Sequence, residues 1–101
     1  MEVIVKGVDR KLSIQLKGDL DHHAARKAML EIDRAIDAAL PLKAVMDFSE
    51  VTFMDSSGIA VILRAQRRIQ DLGGKMTVVH VPVQAKKVLD AAGIGRYVEM
   101  E

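Results

Sequence analysis

The sequence has no cysteine and only 3% aromatic residues. Without cysteine the chain has neither disulfide bonds nor thiolate ligands for a metal ion. The scarcity of aromatic rings leaves few surfaces on which the bases of single-stranded nucleic acid could stack. The 15 basic and 14 acidic residues give a net charge of only +1, whereas nucleic-acid binders usually concentrate basic charge on one face. We therefore expect no nucleic-acid partner.

Long hydrophobic runs are also absent. No apolar segment reaches the roughly 18 residues of a membrane-spanning helix, and the first residues lack the pattern of a signal peptide. Hydrophobic residues nevertheless make up 50% of the chain, which is enough for a core without covalent crosslinks. The sequence predicts a single domain over residues 1–101, in the cytoplasm and without a membrane partner.

Hydrophobic periodicity predicts alternating strands and helices. Leu12, Ile14 and Leu16 alternate with polar residues, as in a strand with one buried face. Apolar residues then recur at helical spacing. The predicted strands are residues 3–8, 12–16, 44–48, 75–81 and 96–100, and the predicted helices are residues 22–40, 57–72 and 82–92. This order, β-β-α-β-α-β-α-β, indicates an α/β fold with a mixed sheet of four to five strands and helices packed against it.

The same patterns give expectations for individual residues. Asp19 or Asp21 can cap the amino terminus of the first helix. Phe53 and Met54 are expected to lie in the core rather than at a contact surface. Ala92 is expected to point inward at the end of the third helix.

The segment between the third strand and the second helix contains Asp55, Ser56, Ser57 and Gly58. Functional loops of such sheets lie at the carboxyl ends of the strands. A serine here can cap the helix, because the first backbone N–H groups of a helix lack partners. It can also accept a phosphate, whose oxygens would meet those donors and whose charge would change the local field. The residue types alone leave both interpretations open.

Three segments together resemble the anti-sigma-factor antagonists built on the STAS domain. The chain contains "GDLDHH", then "FMDSSGIAVIL", then "GGKM", and the resemblance extends over essentially the whole chain. It implies a STAS fold and a partner-switching regulator, active in sporulation or stress signalling, that is not an enzyme and holds no cofactor. The partners would be an anti-sigma factor with serine kinase activity, which binds the unphosphorylated form, and a serine phosphatase that restores it.

The resemblance also implies roles for individual residues. Ser56 would be the phosphorylated residue, and Ser57 would hold the turn or cap the helix. Gly58 would let the backbone of the partner approach closely. Asp21 and Asp55 would lie at the partner-binding surface. A basic cluster on the second helix, formed by Arg64, Arg67 and Arg68, suggests a further contact, because Arg64 could meet an acidic surface of the partner.

The sequence also has to be weighed against four other kinds of function or site. A different STAS signalling module, such as a stress-signalling scaffold, would share the fold. A receiver-like domain could use Asp55 as its phosphate acceptor, although no acidic pair follows the first strand. A serine hydrolase would need G-x-S-x-G, and the first glycine is missing. A metal site is not expected, because adjacent His22 and His23 would point about 100° apart on a helix.

Overall fold

The computed structural model describes all 101 residues as one five-stranded sheet with three α-helices and a short 3₁₀ helix. The strands are β1 Glu2–Val8, β2 Lys11–Leu20, β3 Lys43–Met54, β4 Lys75–Val79 and β5 Glu99–Met100. The helices are α1 His22–Ala39, α2 Ser57–Asp71 and α3 Val83–Ala91, with the 3₁₀ helix at Ile94–Arg96. The predicted α/β class, mixed sheet and element order are confirmed. None of the helices has the length and hydrophobicity needed to cross a bilayer.

The sheet has the spatial order β1-β2-β3-β4-β5, in which only β1 is antiparallel to its neighbour. Each helix therefore connects two adjacent parallel strands, and with each connection the chain moves one strand further across the sheet in the same direction. Such crossovers are nearly always right-handed, which places all three helices on one face of the sheet. Burial agrees with this arrangement, since Leu12, Ile14 and Leu16 are buried whereas Ser13 between them is exposed. The opposite face of the sheet is open.

The two long helices end as the sequence predicts. Leu40, at the end of α1, adopts a left-handed conformation with φ of 45° and donates its N–H to the carbonyl of Ile36, directly before Pro41. Gly73 has φ of 83°, and the N–H of Gly74 reaches back 2.9 Å to the carbonyl of Ile69. This is the glycine-dependent termination expected for α2.

The third strand is longer than predicted. The sequence suggested a strand at residues 44–48 followed by a connecting loop, but β3 continues to Met54. Its second half pairs with the end of β2, where two register shifts accommodate Gly18 and Asp19. Phe53, predicted to lie in the core, is 44% exposed, whereas its neighbour Met54 is fully buried. Ala92, predicted to point inward after α3, is also exposed.

An ion-pair cluster joins α1 to α2. Arg64 shares its single Nε–H between the two carboxylate oxygens of Asp33, at 3.2 and 3.0 Å, and donates a further hydrogen bond of 2.8 Å from Nη2 to Oδ2. Arg68 contacts the same carboxylate at 3.2 Å and also binds Asp37. Partial burial would raise the pKa of Asp33, but these two guanidinium groups outweigh it and hold the pKa below the ordinary value. The cluster fixes the packing of the helices that flank the Ser56 turn.

We expect Asp33→Asn to destabilise the protein at pH 7 by about 1 kcal/mol, the upper end for ion pairs that solvent partly screens. The pKa of Asp33 is lower in the folded than in the unfolded chain, so this stabilisation is complete above the unfolded value of 3.8. It is lost as the pH falls through the folded value. Urea unfolding at several pH values tests this. The difference from the parent protein should disappear in acid, and a constant difference would contradict the ion-pair account. Glu50→Gln, at an exposed carboxylate without an ion pair, is the control.

Candidate functional site

The turn from Asp55 to Gly58 lies where β3 ends and α2 begins. Asp55 accepts a hydrogen bond of 2.8 Å from the backbone N–H of Ser57 through its carboxylate. Its backbone carbonyl accepts a second bond of 3.1 Å from the N–H of Gly58. Asp55 therefore satisfies donors at the start of α2 that the sequence interpretation had assigned to a serine.

The hydroxyl group of Ser56 is free. Ser56 is exposed, and its side chain makes no capping hydrogen bond although it directly precedes α2. Its backbone carbonyl already accepts the N–H of Ile59 at 3.1 Å. The N–H groups of Ser57, Gly58 and Ile59 already bond within the turn, whereas the N–H of Ser56 itself has no partner. That phosphate oxygens on this residue would meet backbone donors stays a prediction. A group attached to this oxygen would extend into solvent.

Gly58 is buried. This corrects the role that the resemblance implied, in which Gly58 would let the backbone of the partner approach closely. A Cβ atom added to Gly58 would lie 2.5 Å from Cγ and Sδ of Met54 and 3.1 Å from a methyl group of Leu20. The missing side chain thus allows α2 to pack on the fully buried ends of β2 and β3. It serves packing inside the chain rather than access for a partner.

Asp21 lies beside this turn, at the end of the neighbouring strand. The register pairs Leu20 with Met54, so the residues that follow them emerge from the same edge of the sheet. The carboxylate of Asp21 caps α1 by accepting a hydrogen bond of 2.9 Å from the N–H of Ala24. That hydrogen bond lowers the pKa of Asp21. The predicted capping role is confirmed, and the negative charge lies at the sheet edge that also carries the Ser56 turn.

The structure also reveals a residue that the sequence interpretation missed. The side-chain amide of Gln84, in α3, binds both backbone groups of Met54: its oxygen accepts at 2.9 Å and its nitrogen donates at 2.8 Å. Gln84 therefore acts as an additional strand residue that secures the end of β3, next to the turn. No sequence pattern connects these two residues, which are 30 positions apart.

Arg64 lies about two helical turns beyond Ser57 on α2, roughly 10 Å along the axis. Its guanidinium group is bound to Asp33, as described above, although the side chain is 54% exposed. Arg67 has no ion pair within the chain. Within the predicted basic cluster, Arg64 and Arg68 therefore have acidic partners in the chain, whereas Arg67 has none.

The histidines and carboxylates do not come together as a metal centre. The rings of His22 and His23 lie 6.0 Å apart and are strongly inclined. His80 lies 3.3 Å from Asp47, measured from Nδ1 to Oδ1. No group of three or more potential ligands converges on a point that could hold a metal ion.

Comparison with known proteins gives consistent results. The STAS domain family model matches residues 2–101. An anti-sigma F factor antagonist of Paenibacillus polymyxa is 35% identical over 83 residues, which cover 82% of this chain and 71% of that protein. The structure of the anti-sigma factor antagonist SpoIIAA in its unphosphorylated form is similar, with a TM-score of 0.83 and 27% identity over 99% of this chain and 88% of that one.

A second solved structure, the Bacillus cell fate determinant SpoIIAA in the phosphorylated form, has a TM-score of 0.74 at 27% identity. It covers 99% of this chain and 91% of the other. The family resemblance inferred from the sequence motifs is confirmed by these matches.

Gly58→Ala should destabilise the protein by about 1–3 kcal/mol, because the added methyl group overpacks a closely packed site. Chemical denaturation measures this effect. Gly95→Ala is the matched control, since a Cβ atom there would meet nothing within 4 Å. If both substitutions had the same small effect, the close packing of Gly58 on Met54 would not be a stability determinant.

Proposed function

The chain belongs to the STAS domain family, and we propose that it acts as an anti-sigma factor antagonist controlled by phosphorylation of Ser56. In this role it binds an anti-sigma factor and thereby frees a sigma factor. The relative from Paenibacillus polymyxa and the unphosphorylated SpoIIAA described above are both named anti-sigma factor antagonists. No cofactor is needed by the chain itself, because the nucleotide belongs to the kinase. We place this activity in the cytoplasm, where sigma factors act on transcription.

The observation that carries the proposal is the unused hydroxyl group of Ser56. A serine retained only to cap a helix would hydrogen bond to the first backbone donors, but Asp55 fills that role here. Ser56 is exposed on a turn held by buried neighbours. A kinase could therefore reach the hydroxyl oxygen, transfer the γ-phosphoryl group of ATP to it and leave ADP. A phosphatase could hydrolyse the resulting ester with water.

Electrostatics explains how one phosphate could reverse binding. A phosphoserine adds about −1.5 to −2 charges at neutral pH. It would follow the carboxylate of Asp55 directly, at the sheet edge from which Asp21 also emerges, and the N–H groups of Ser57, Gly58 and Ile59 are already bonded within the turn. A hundredfold loss of affinity requires about 2.7 kcal/mol, whereas like charges brought together at an interface can cost several. The folded chain need not change shape.

Apolar groups near the turn suit a partner-binding surface. Phe53 is 44% exposed and Val83 is 73% exposed. They adjoin Met54 and Gln84, which are joined by the hydrogen bonds described above. We therefore propose that the partner covers Asp21, the turn with Asp55, Ser56 and Ser57, and these apolar side chains.

We also propose Arg64 as a partner contact, although its guanidinium group is already bound to Asp33 in the ion-pair cluster. An acidic partner residue would have to share its guanidinium group with Asp33. Gly58 contributes to the proposed surface indirectly, by holding α2 against Met54.

Phosphorylation is tested by mixing the protein with ATP and its anti-sigma factor kinase, then measuring intact mass and mapping peptides. We expect one phosphoryl group on the parent protein and on Ser57→Ala, and none on Ser56→Ala. The bond should survive mild base. A base-labile phosphate would instead indicate an acyl phosphate on Asp55, and a phosphate retained in Ser56→Ala would exclude Ser56 as the acceptor.

Ser56→Asp should fold normally and bind the anti-sigma factor about tenfold more weakly than the parent, which corresponds to 1.4 kcal/mol. Aspartate supplies roughly half the charge of a phosphate, so a smaller effect than that of phosphorylation is expected. Titration calorimetry at low and high salt measures the affinity. Ser49→Asp, at an exposed serine further back on β3, is the control. Equal affinity of Ser56→Asp and the parent at low salt would contradict the electrostatic mechanism.

A further inference from the structure

A row of lysines crosses the open face of the sheet at the end away from Ser56. Lys11, Lys43 and Lys75 each begin a parallel strand, and the register pairs Lys11 with Lys43 and Lys43 with Lys75. Residues in register project from the same face, with strands about 4.8 Å apart. Each of the three is adjacent in sequence to a buried residue that faces the helices, namely Leu12, Ala44 and Met76. The lysines therefore point to the opposite, open face.

Two carboxylates lie near these three lysines: Asp9 lines a groove with Lys11, and Glu99 lines another with Lys75. All three are exposed, and none forms an ion pair. Like charges directly opposite each other on neighbouring strands are destabilising, and Lys43 faces such a neighbour on both sides. The fold thus maintains a concentration of positive charge that an external anion would stabilise. The net charge of +1 gives no indication of this cluster.

A groove adjoins the row. It encloses about 530 Å³ and includes Lys11 and Lys43 among its lining residues. Lys6 and Ser13, which are paired across β1 and β2, provide further donors. The remaining lining residues are Val8, Asp9, Leu12 and Val45. Asp9 is the one carboxylate in this lining and lies in the β1–β2 turn. Val8 and Val45 provide apolar side chains, whereas the side chain of Leu12 is buried on the helix side of the sheet.

We propose that this groove and the lysine row bind a soluble ligand that carries two or more phosphate groups. The three ammonium groups of the row would bind phosphate oxygens, and Lys6 and Ser13 would donate to the part of the ligand that enters the groove. Two strand spacings, about 10 Å, match a short chain of phosphates. A nucleic-acid strand is disfavoured because no aromatic side chain lines the groove, and bases bind by stacking on aromatic rings. A concave site of this size is typical of small ligands.

The site is separate from the Ser56 turn. Lys43 begins β3 and Met54 ends it, so nearly the full length of the longest strand lies between them. A substitution in the lysine row can therefore be assessed without altering the residues proposed to act in phosphorylation. The inference also does not depend on the proposed regulatory function.

Thermal unfolding at low ionic strength, with and without sodium tripolyphosphate, tests the site. We expect tripolyphosphate to raise the Tm of the parent protein by about 5 °C, since ligands that bind only the folded state stabilise it. Lys43→Gln should have a higher Tm than the parent without the anion, because two repulsions are removed, and should lose most of the response to it. Lys87→Gln removes an exposed lysine from α3 that has no ion pair and should respond like the parent.

Three results would overturn the proposal. The first is the absence of a Tm shift in the parent protein. The second is an equal shift in all three proteins, which would indicate a general effect of the anion. The third is Lys43-dependent cosedimentation with phosphatidylglycerol vesicles without a response to tripolyphosphate, which would assign the surface to lipid headgroups. Phosphorylation of Ser56 should be unchanged in Lys43→Gln, so the two proposals fail independently.

Discussion

The packing of Gly58 against Met54 determines where the third strand ends and the second helix begins. No side chain larger than hydrogen fits between the helix and the buried methionine without a shift of its neighbours. Gln84 secures the same point from α3 by binding both backbone groups of Met54. The position of Ser56 follows from these contacts, because it lies between the anchored strand end and the anchored first turn of the helix. A rigid support of this kind lets an exposed hydroxyl group be presented in one place.

Asp55 holds the turn together, which leaves the side chain of Ser56 free for chemistry. Its carboxylate and carbonyl groups satisfy the N–H groups of Ser57 and Gly58, so Ser56 does not have to. A modification of Ser56 therefore removes no hydrogen bond made by its side chain. Because Ser56 is exposed, the charge of an added phosphate would face any protein that binds this surface. Stability and regulation can thus change independently at adjacent residues.

Local patterns in the sequence predicted most of the fold and the position of the turn. Periodicity located the strands and helices, and glycine located the end of α2, because both signals depend on neighbouring residues. The second half of β3 was missed, since Ser49, Glu50 and Thr52 are exposed and polar and their strand conformation depends on pairing with β2. The exposure of Phe53 has the same origin: the strand continues into a part of the sheet that β4 does not reach.

Long-range contacts were the features that sequence could not supply. Arg64 and Asp33 are 31 positions apart, and only the packing of two helices shows that a residue assigned to a partner already has one. The lysine row arises in the same way, because strand register brings together residues that lie in three separate segments. The Ser56 turn, by contrast, consists of consecutive residues and was visible as a motif. A surface assembled from several strands has no such motif, so charge patches of this kind have to be sought in the sheet register rather than in the chain order.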